Sequence, residues 1–118
     1  MDTSKLIETA NAIVADGRGI LAADESSPTI KKRFDSIGAE STEANRRDYR
    51  EMLFTTAGAG EFISGAILFD ETLRQDAADG TALVEVLQGA DIIPGIKVDK
   101  GAKALPGHPG ETVTEGLD

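Results

Sequence analysis

The sequence predicts an α/β domain built on a parallel sheet, and three observations carry that prediction. Three short apolar runs alternate with segments of helical period, the pattern of strands joined by crossover helices. Each run closes on an acidic residue: Asp24, Asp70 and Asp99. The breaks between segments are glycines, serines and prolines in the order that stops one element and caps the next. Parallel strands joined by right-handed crossovers place their C-terminal ends on one rim, where the chemistry of such folds lies. Asp24, Asp70 and Asp99 are therefore expected on a common rim.

Each element has its own justification. Leu6, Ala10, Ile13 and Val14 share one face of a helix over 4–16, with Thr3 or Ser4 as its cap and Gly17 as its stop. Gly19-Ile20-Leu21-Ala22-Ala23 is too short for a helix of its own and suits a strand buried on both faces. Ser27-Pro28 reads as a serine cap followed by proline at the first helical position, with Ile30, Phe34 and Ile37 inward and Gly38 at the end. A third helix starts at Ser41-Thr42-Glu43. Tyr49, Met52 and Leu53 face inward, and Arg46, Arg47 and Arg50 are spread around it.

The run Phe62 to Phe69 is the second strand. A short helical stretch and the Asp79-Gly80 turn follow, then a helix from Ala82 to Leu87 closed by Gly89. The third strand spans Ile92 to Asp99. Pro94 has no N–H for a ladder, so regular pairing is expected from Gly95. The tail, Lys100 to Asp118, is rich in glycine and proline and reads as a long loop.

Composition excludes several classes of function. Twelve basic and 21 acidic residues give a formal net charge of −9, which is no coat for nucleic acid, although a local basic pocket remains able to hold a small anion. No run of 18 apolar residues offers a membrane span, and the N-terminus lacks a secretory pattern. The expected location is the cytoplasm. With no cysteine, disulfide and thiolate chemistry are excluded.

Three constellations could hold chemistry. Asp24-Glu25-Ser26-Ser27-Pro28-Thr29, followed by Lys31, Lys32 and Arg33, sets hydroxyls and free amides at a helix start. That is either a phosphate seat beside a carboxylate or an ordinary capped helix with a wet basic face. In Gly95 to Gly101, alternation puts Lys97 and Asp99 on one strand face. They form either a charged interior site or a structural ion pair. Arg46, Arg47 and Arg50 suit a solvated helix face with pairs such as Glu43–Arg47. His108, the only histidine, sits alone in a Pro-Gly-rich loop and reads as surface. No metal-ligand cluster and no phosphate-binding glycine motif is present.

Four stretches add a resemblance. Gly19-Ile-Leu-Ala-Ala-Asp-Glu-Ser26, Glu43-Ala-Asn-Arg-Arg-Asp-Tyr49, Gly65-Ala-Ile-Leu-Phe-Asp-Glu-Thr-Leu73 and Gly95-Ile-Lys-Val-Asp-Lys-Gly101 resemble, in order, segments of class I fructose-bisphosphate aldolases. Gly110-Glu-Thr112 and Gly116-Leu-Asp118 fit as well.

The resemblance implies the N-terminal part, about three βα units, of a TIM (β/α)8 barrel over 1–118, with a helix at 1–17 before the first strand. A whole barrel takes roughly 250 residues. It also implies reversible cleavage of fructose 1,6-bisphosphate to dihydroxyacetone phosphate and glyceraldehyde 3-phosphate. The route is a lysine Schiff base with no metal and no cofactor, in a homo-oligomer that is typically a tetramer.

By position, Asp24 matches the family's active-site aspartate. Ser26, Thr29 and Lys97 match residues on the C6 phosphate. Arg33 and Arg46 match substrate-binding arginines, and Asp99 matches a charged neighbour of Lys97. The Schiff-base lysine, the proton-transferring glutamate and the C1-phosphate residues are expected beyond Asp118. Ser27-Pro28 departs from the Thr-Gly common in relatives. The alternative is a non-catalytic phosphosugar-binding or interaction fragment.

Overall fold

Three parallel strands in the order β1-β2-β3 form the sheet: β1 (Gly19–Ala23), β2 (Ile63–Leu68) and β3 (Ile93–Ile96). The computed structural model describes residues 2–15 and 17–116. α1 (Thr3–Ile13) precedes the first strand; between the strands run α2 (Ser27–Ser36), α3 (Glu43–Phe54), the single turn α4 (Ala59–Phe62) and α5 (Leu83–Gly89). A two-stranded antiparallel hairpin, β4 (Ala102–Ala104) and β5 (Thr112–Thr114), closes the described chain. Among the described residues no helix is long and apolar enough to cross a membrane.

Register levels the strand ends. Ala23 pairs with Leu68, and Leu68 with Ile96, so the residues that follow, Asp24 and Lys97, stand in one row on either side of Phe69. Near the other end, a bulge at Ser64 shifts the β1–β2 pairing between Gly19 and Ile20. Ser64 is buried, and its hydroxyl donates to the carbonyl of Ile13 and reaches that of Gly19, tying the end of α1 to both strands.

One face of the sheet is covered. Ala23, Ala66 and Leu68 pack with Phe54 of α3, Leu83 and Leu87 of α5, and Ile92. Fully burying a leucine of this kind is worth about 2 kcal/mol. The opposite face is open, with Ile20 at 52% exposure. The expectation that β1 is buried on both faces therefore fails: helices lie on one side, and three strands do not curl far enough to supply an opposite wall.

Other local expectations also shift. The cap of α1 is Asp2, whose carboxylate accepts from the Ser4 amide at 3.0 Å, rather than Thr3 or Ser4. The expected inward stripe of α1 buries nothing; only Ile13 is half-covered. The expected end of this helix at Asp16 falls outside the described residues. In α2 the cap is Ser26, one residue earlier than expected, and Ile37 is exposed. In α3, Met52 is exposed while Arg50 and Phe54 are the buried residues. Arg47 pairs with Glu51 and Asp48, not with Glu43.

Pairing of β3 begins at Ile93, two residues before Gly95. The Lys97 amide donates to Leu68, so alternation turns the nitrogen of Pro94 to the outer edge, where no donor is needed. Finally, the tail is a hairpin rather than a loop, and His108 lies exposed at its turn.

Candidate functional site

A cavity of about 570 Å³ opens at the strand C-termini. Its lining brings together Asp24, Ser26, Thr29, Arg33, Lys97 and Asp99, with Glu25, Phe69, Asp70, Lys100 and Gly101. Six of the seven residues that sequence reasoning assigned to the site thus meet, and the three rim aspartates with them. Arg46 does not. Its Nε and Nη2 donate to the Glu71 carboxylate at 2.8 and 2.6 Å, and its Nη1 donates to the Ser41 carbonyl at 2.6 Å. That bidentate pair holds the carboxyl of Glu71 below its ordinary range and raises Arg46, so both partners agree in direction.

The β3 side is a charge relay of contacts. Lys97 Nζ donates to Asp99 and lies 3.4 Å from Asp24 Oδ2 across the row. These side chains are about a quarter to a third exposed, less enclosed than a buried strand would make them. The hydrogen bond from Lys97 holds Asp99 below its ordinary range and, from the other end, raises the pKa of Lys97. Lys97 is therefore held as an ammonium. Asp99 also accepts from the Gly101 amide at 3.0 Å, which fixes the turn into the β4–β5 hairpin.

The β1 side is the start of α2. The Ser26 carbonyl accepts from the amides of Thr29 and Ile30, both at 2.9 Å, but its hydroxyl makes no cap and instead lies 3.1 Å from the Thr29 hydroxyl. Two hydroxyls are thereby presented at the positive end of a helix. Of the cations expected nearby, Arg33 lines the cavity, whereas Lys31 is paired with Asp35 on the outer face.

Sequence reasoning gave no role to two residues that also line the cavity. Glu25 is buried, and its carboxylate accepts from Arg33 and, at 3.1 Å, from the buried Arg50. Alternation supplied a signal: next to an inward Asp24, Glu25 must point to the helix side, where a carboxylate requires a cation. Lys100 is the other. Among the described residues no group of three or more His, Asp or Glu side chains is arranged for a metal ion.

Residues 5–118 match the family model for fructose-bisphosphate aldolase class-I. The chain belongs to the class-I fructose-bisphosphate aldolase family. It is 59% identical over 118 residues to a probable class 1 fructose-bisphosphate aldolase of Xanthomonas axonopodis pv. citri, covering all of this chain and 35% of the relative. To fructose-bisphosphate aldolase 1 of Toxoplasma gondii it is 60% identical over 114 residues, 97% of this chain and 31% of the relative.

The structure superposes on the aldolase of Plasmodium falciparum, solved with TRAP and a small-molecule inhibitor, with a TM-score of 0.91 at 54% identity. That match covers 97% of this chain and 33% of the other. The chain thus spans about a third of the length of these aldolases. Its fold is a run of βα units of the aldolase barrel, as the resemblance implied.

Proposed function

We propose that this chain forms one wall of a class I aldolase active site, in a protein that reversibly cleaves fructose 1,6-bisphosphate to dihydroxyacetone phosphate and glyceraldehyde 3-phosphate. The observation that supports this reading best is the convergence of Asp24 and Lys97 in one row, facing a cavity that also holds Ser26, Thr29 and Arg33. A phosphosugar needs both kinds of group. The hydroxyls at the α2 terminus and the Lys97 ammonium suit the C6 phosphate. In this reading Asp24 is the carboxylate that accepts a proton from a sugar hydroxyl as the C3–C4 bond breaks.

By position, none of the six lysines matches the Schiff-base lysine that the resemblance implies. Such a lysine must lose its proton, and Lys97, the one in the row, is held charged by Asp99 and Asp24. The reading therefore assigns imine formation to a lysine outside these residues. It leaves Arg46 out of substrate contact, because its donors are spent on Glu71 and Ser41. With it go a cytoplasmic location and a homo-oligomeric assembly, as a tetramer.

The test joins this chain to the part of the Xanthomonas relative that it does not cover. The chimera is expected to cleave fructose 1,6-bisphosphate, and Asp24→Asn to lower kcat by about 100-fold or more, the scale of a lost acid–base group. Borohydride reduction with dihydroxyacetone phosphate should place the adduct in the appended part. An adduct on Lys97, or an Asp24→Asn variant within two-fold of the parent, would count against the reading.

A further inference from the structure

Arg50 lies outside the cavity, on α3, and is the most deeply buried charged side chain among the described residues, at 1% exposure. Its guanidinium reaches the end of β1 from behind. Nε donates to the Ala23 carbonyl at 3.0 Å, and Nη2 to the Glu25 carbonyl and to Glu25 Oε2, both at 3.1 Å. Ala23 and Glu25 are the residues on either side of Asp24. Where β1 ends, their carbonyls leave the sheet ladder, and one planar fork satisfies both.

The contacts continue to the site. The other Glu25 oxygen accepts from Arg33, which lines the cavity. Arg50 is itself held in place: its guanidinium carbon lies 5.5 Å from the centre of the Tyr49 ring, and Tyr49 meets Phe34 of α2 edge-on at 5.9 Å. Stability alone is a poor reason for this arrangement. Burial works against the Arg50 charge and lowers its pKa, with Glu25 opposing. An apolar side chain would fill such a space as well or better. What an apolar side chain lacks is a directed grip on two carbonyls and a carboxylate.

We propose that Arg50 is a positioning residue of the phosphosugar site. It pins the backbone on both sides of Asp24 and, through Glu25, holds Arg33, so that Asp24 and the Ser26 and Thr29 hydroxyls are in place before substrate arrives. The role in the site rests on the aldolase reading above; the pinning of the loop rests on the geometry alone.

The experiment uses this 118-residue chain and three variants. Arg50→Met removes the fork. Glu25→Gln with Arg50→Met removes both charges, so that no buried ion of this pair is left unpaired. Phe54→Ala, on the same helix, is the control for a purely structural loss. Hydrogen exchange is followed by mass spectrometry in segments 24–29 and 63–68, and affinity for fructose 1,6-bisphosphate is measured by calorimetry below the melting temperature of each variant.

Both Arg50 variants are expected to speed exchange in 24–29 by about ten-fold or more while 63–68 stays within two-fold, and to weaken binding by about ten-fold or more. Phe54→Ala is expected to speed 63–68 and leave affinity within two-fold. Equal acceleration of the two segments in the Arg50 variants would overturn the proposal by reducing Arg50 to a core residue. Loosening of 24–29 with unchanged affinity would overturn the positioning role. If the parent chain alone binds no fructose 1,6-bisphosphate, affinity is read in the chimera instead; if the chimera binds none yet 24–29 loosens selectively, the aldolase reading falls and the pinning is supported.

Discussion

Lys97 gains two acidic neighbours from different origins. Asp99 comes from alternation along its own strand, and Asp24 from a row shared across the sheet. The first was legible in the sequence; the second needed the register. Arg46 shows the same contrast. Its helix position is plain in the sequence, but its partner Glu71 lies 25 residues away and is met only through the fold.

This partly buried pair has a definite pH signature. Arg46 depresses the Glu71 carboxyl, so the pair stabilises the fold above the ordinary glutamate value of 4.5, and that contribution is lost as pH falls through the depressed value. Arg46→Met should therefore cost about 2 kcal/mol at pH 7. The gap between variant and parent should narrow steadily below pH 4 in urea unfolding series. A gap that stays constant down to pH 2 would show that Arg46 acts through packing alone.

Elements are set level by close approaches as much as by hydrogen bonds. Gly60, in the turn α4, has the carbonyl oxygen of Ala90 only 2.0 Å from where a Cβ would stand. That oxygen is backbone at the end of α5, so it cannot swing aside. Gly60→Ala should push α4 off α5 and lower stability by about 2–3 kcal/mol, read as a drop in the urea midpoint. A variant as stable as the parent would mean that this approach is not fixed.

The same scale explains what sequence could and could not deliver. Asp24, Ser26 and Thr29 are contiguous with a strand end and a helix start, so their shared location follows from local chemistry. Arg50 looked like one of three arginines on a wet face. Helical period says which residues share a stripe but not which stripe lies over the end of β1. The hairpin was hidden for another reason: its strands are three residues each and sit among glycines and prolines that read as loop.

At the scale of the molecule, the anion site proposed for this acidic chain would rest on geometry rather than on net charge. Carboxylates outnumber cations in the cavity lining. What favours a phosphate is the placement of the α2 terminus, two hydroxyls, Arg33 and Lys97 around one opening. The sheet face on that side is open and its helix face is packed, as befits βα units of a barrel whose relatives are about three times longer.

The central claim is that Lys97 holds the C6 phosphate and does not carry the imine. Its most direct test is Lys97→Met in the chimera, assayed with fructose 1,6-bisphosphate and with fructose 1-phosphate, which has no C6 phosphate. Losing one charge-assisted contact, about 2 kcal/mol, should raise KM for the bisphosphate by about 30-fold. It should leave kcat/KM for fructose 1-phosphate within about three-fold, and borohydride trapping should persist. Equal losses on both substrates, or loss of trapping, would contradict the account.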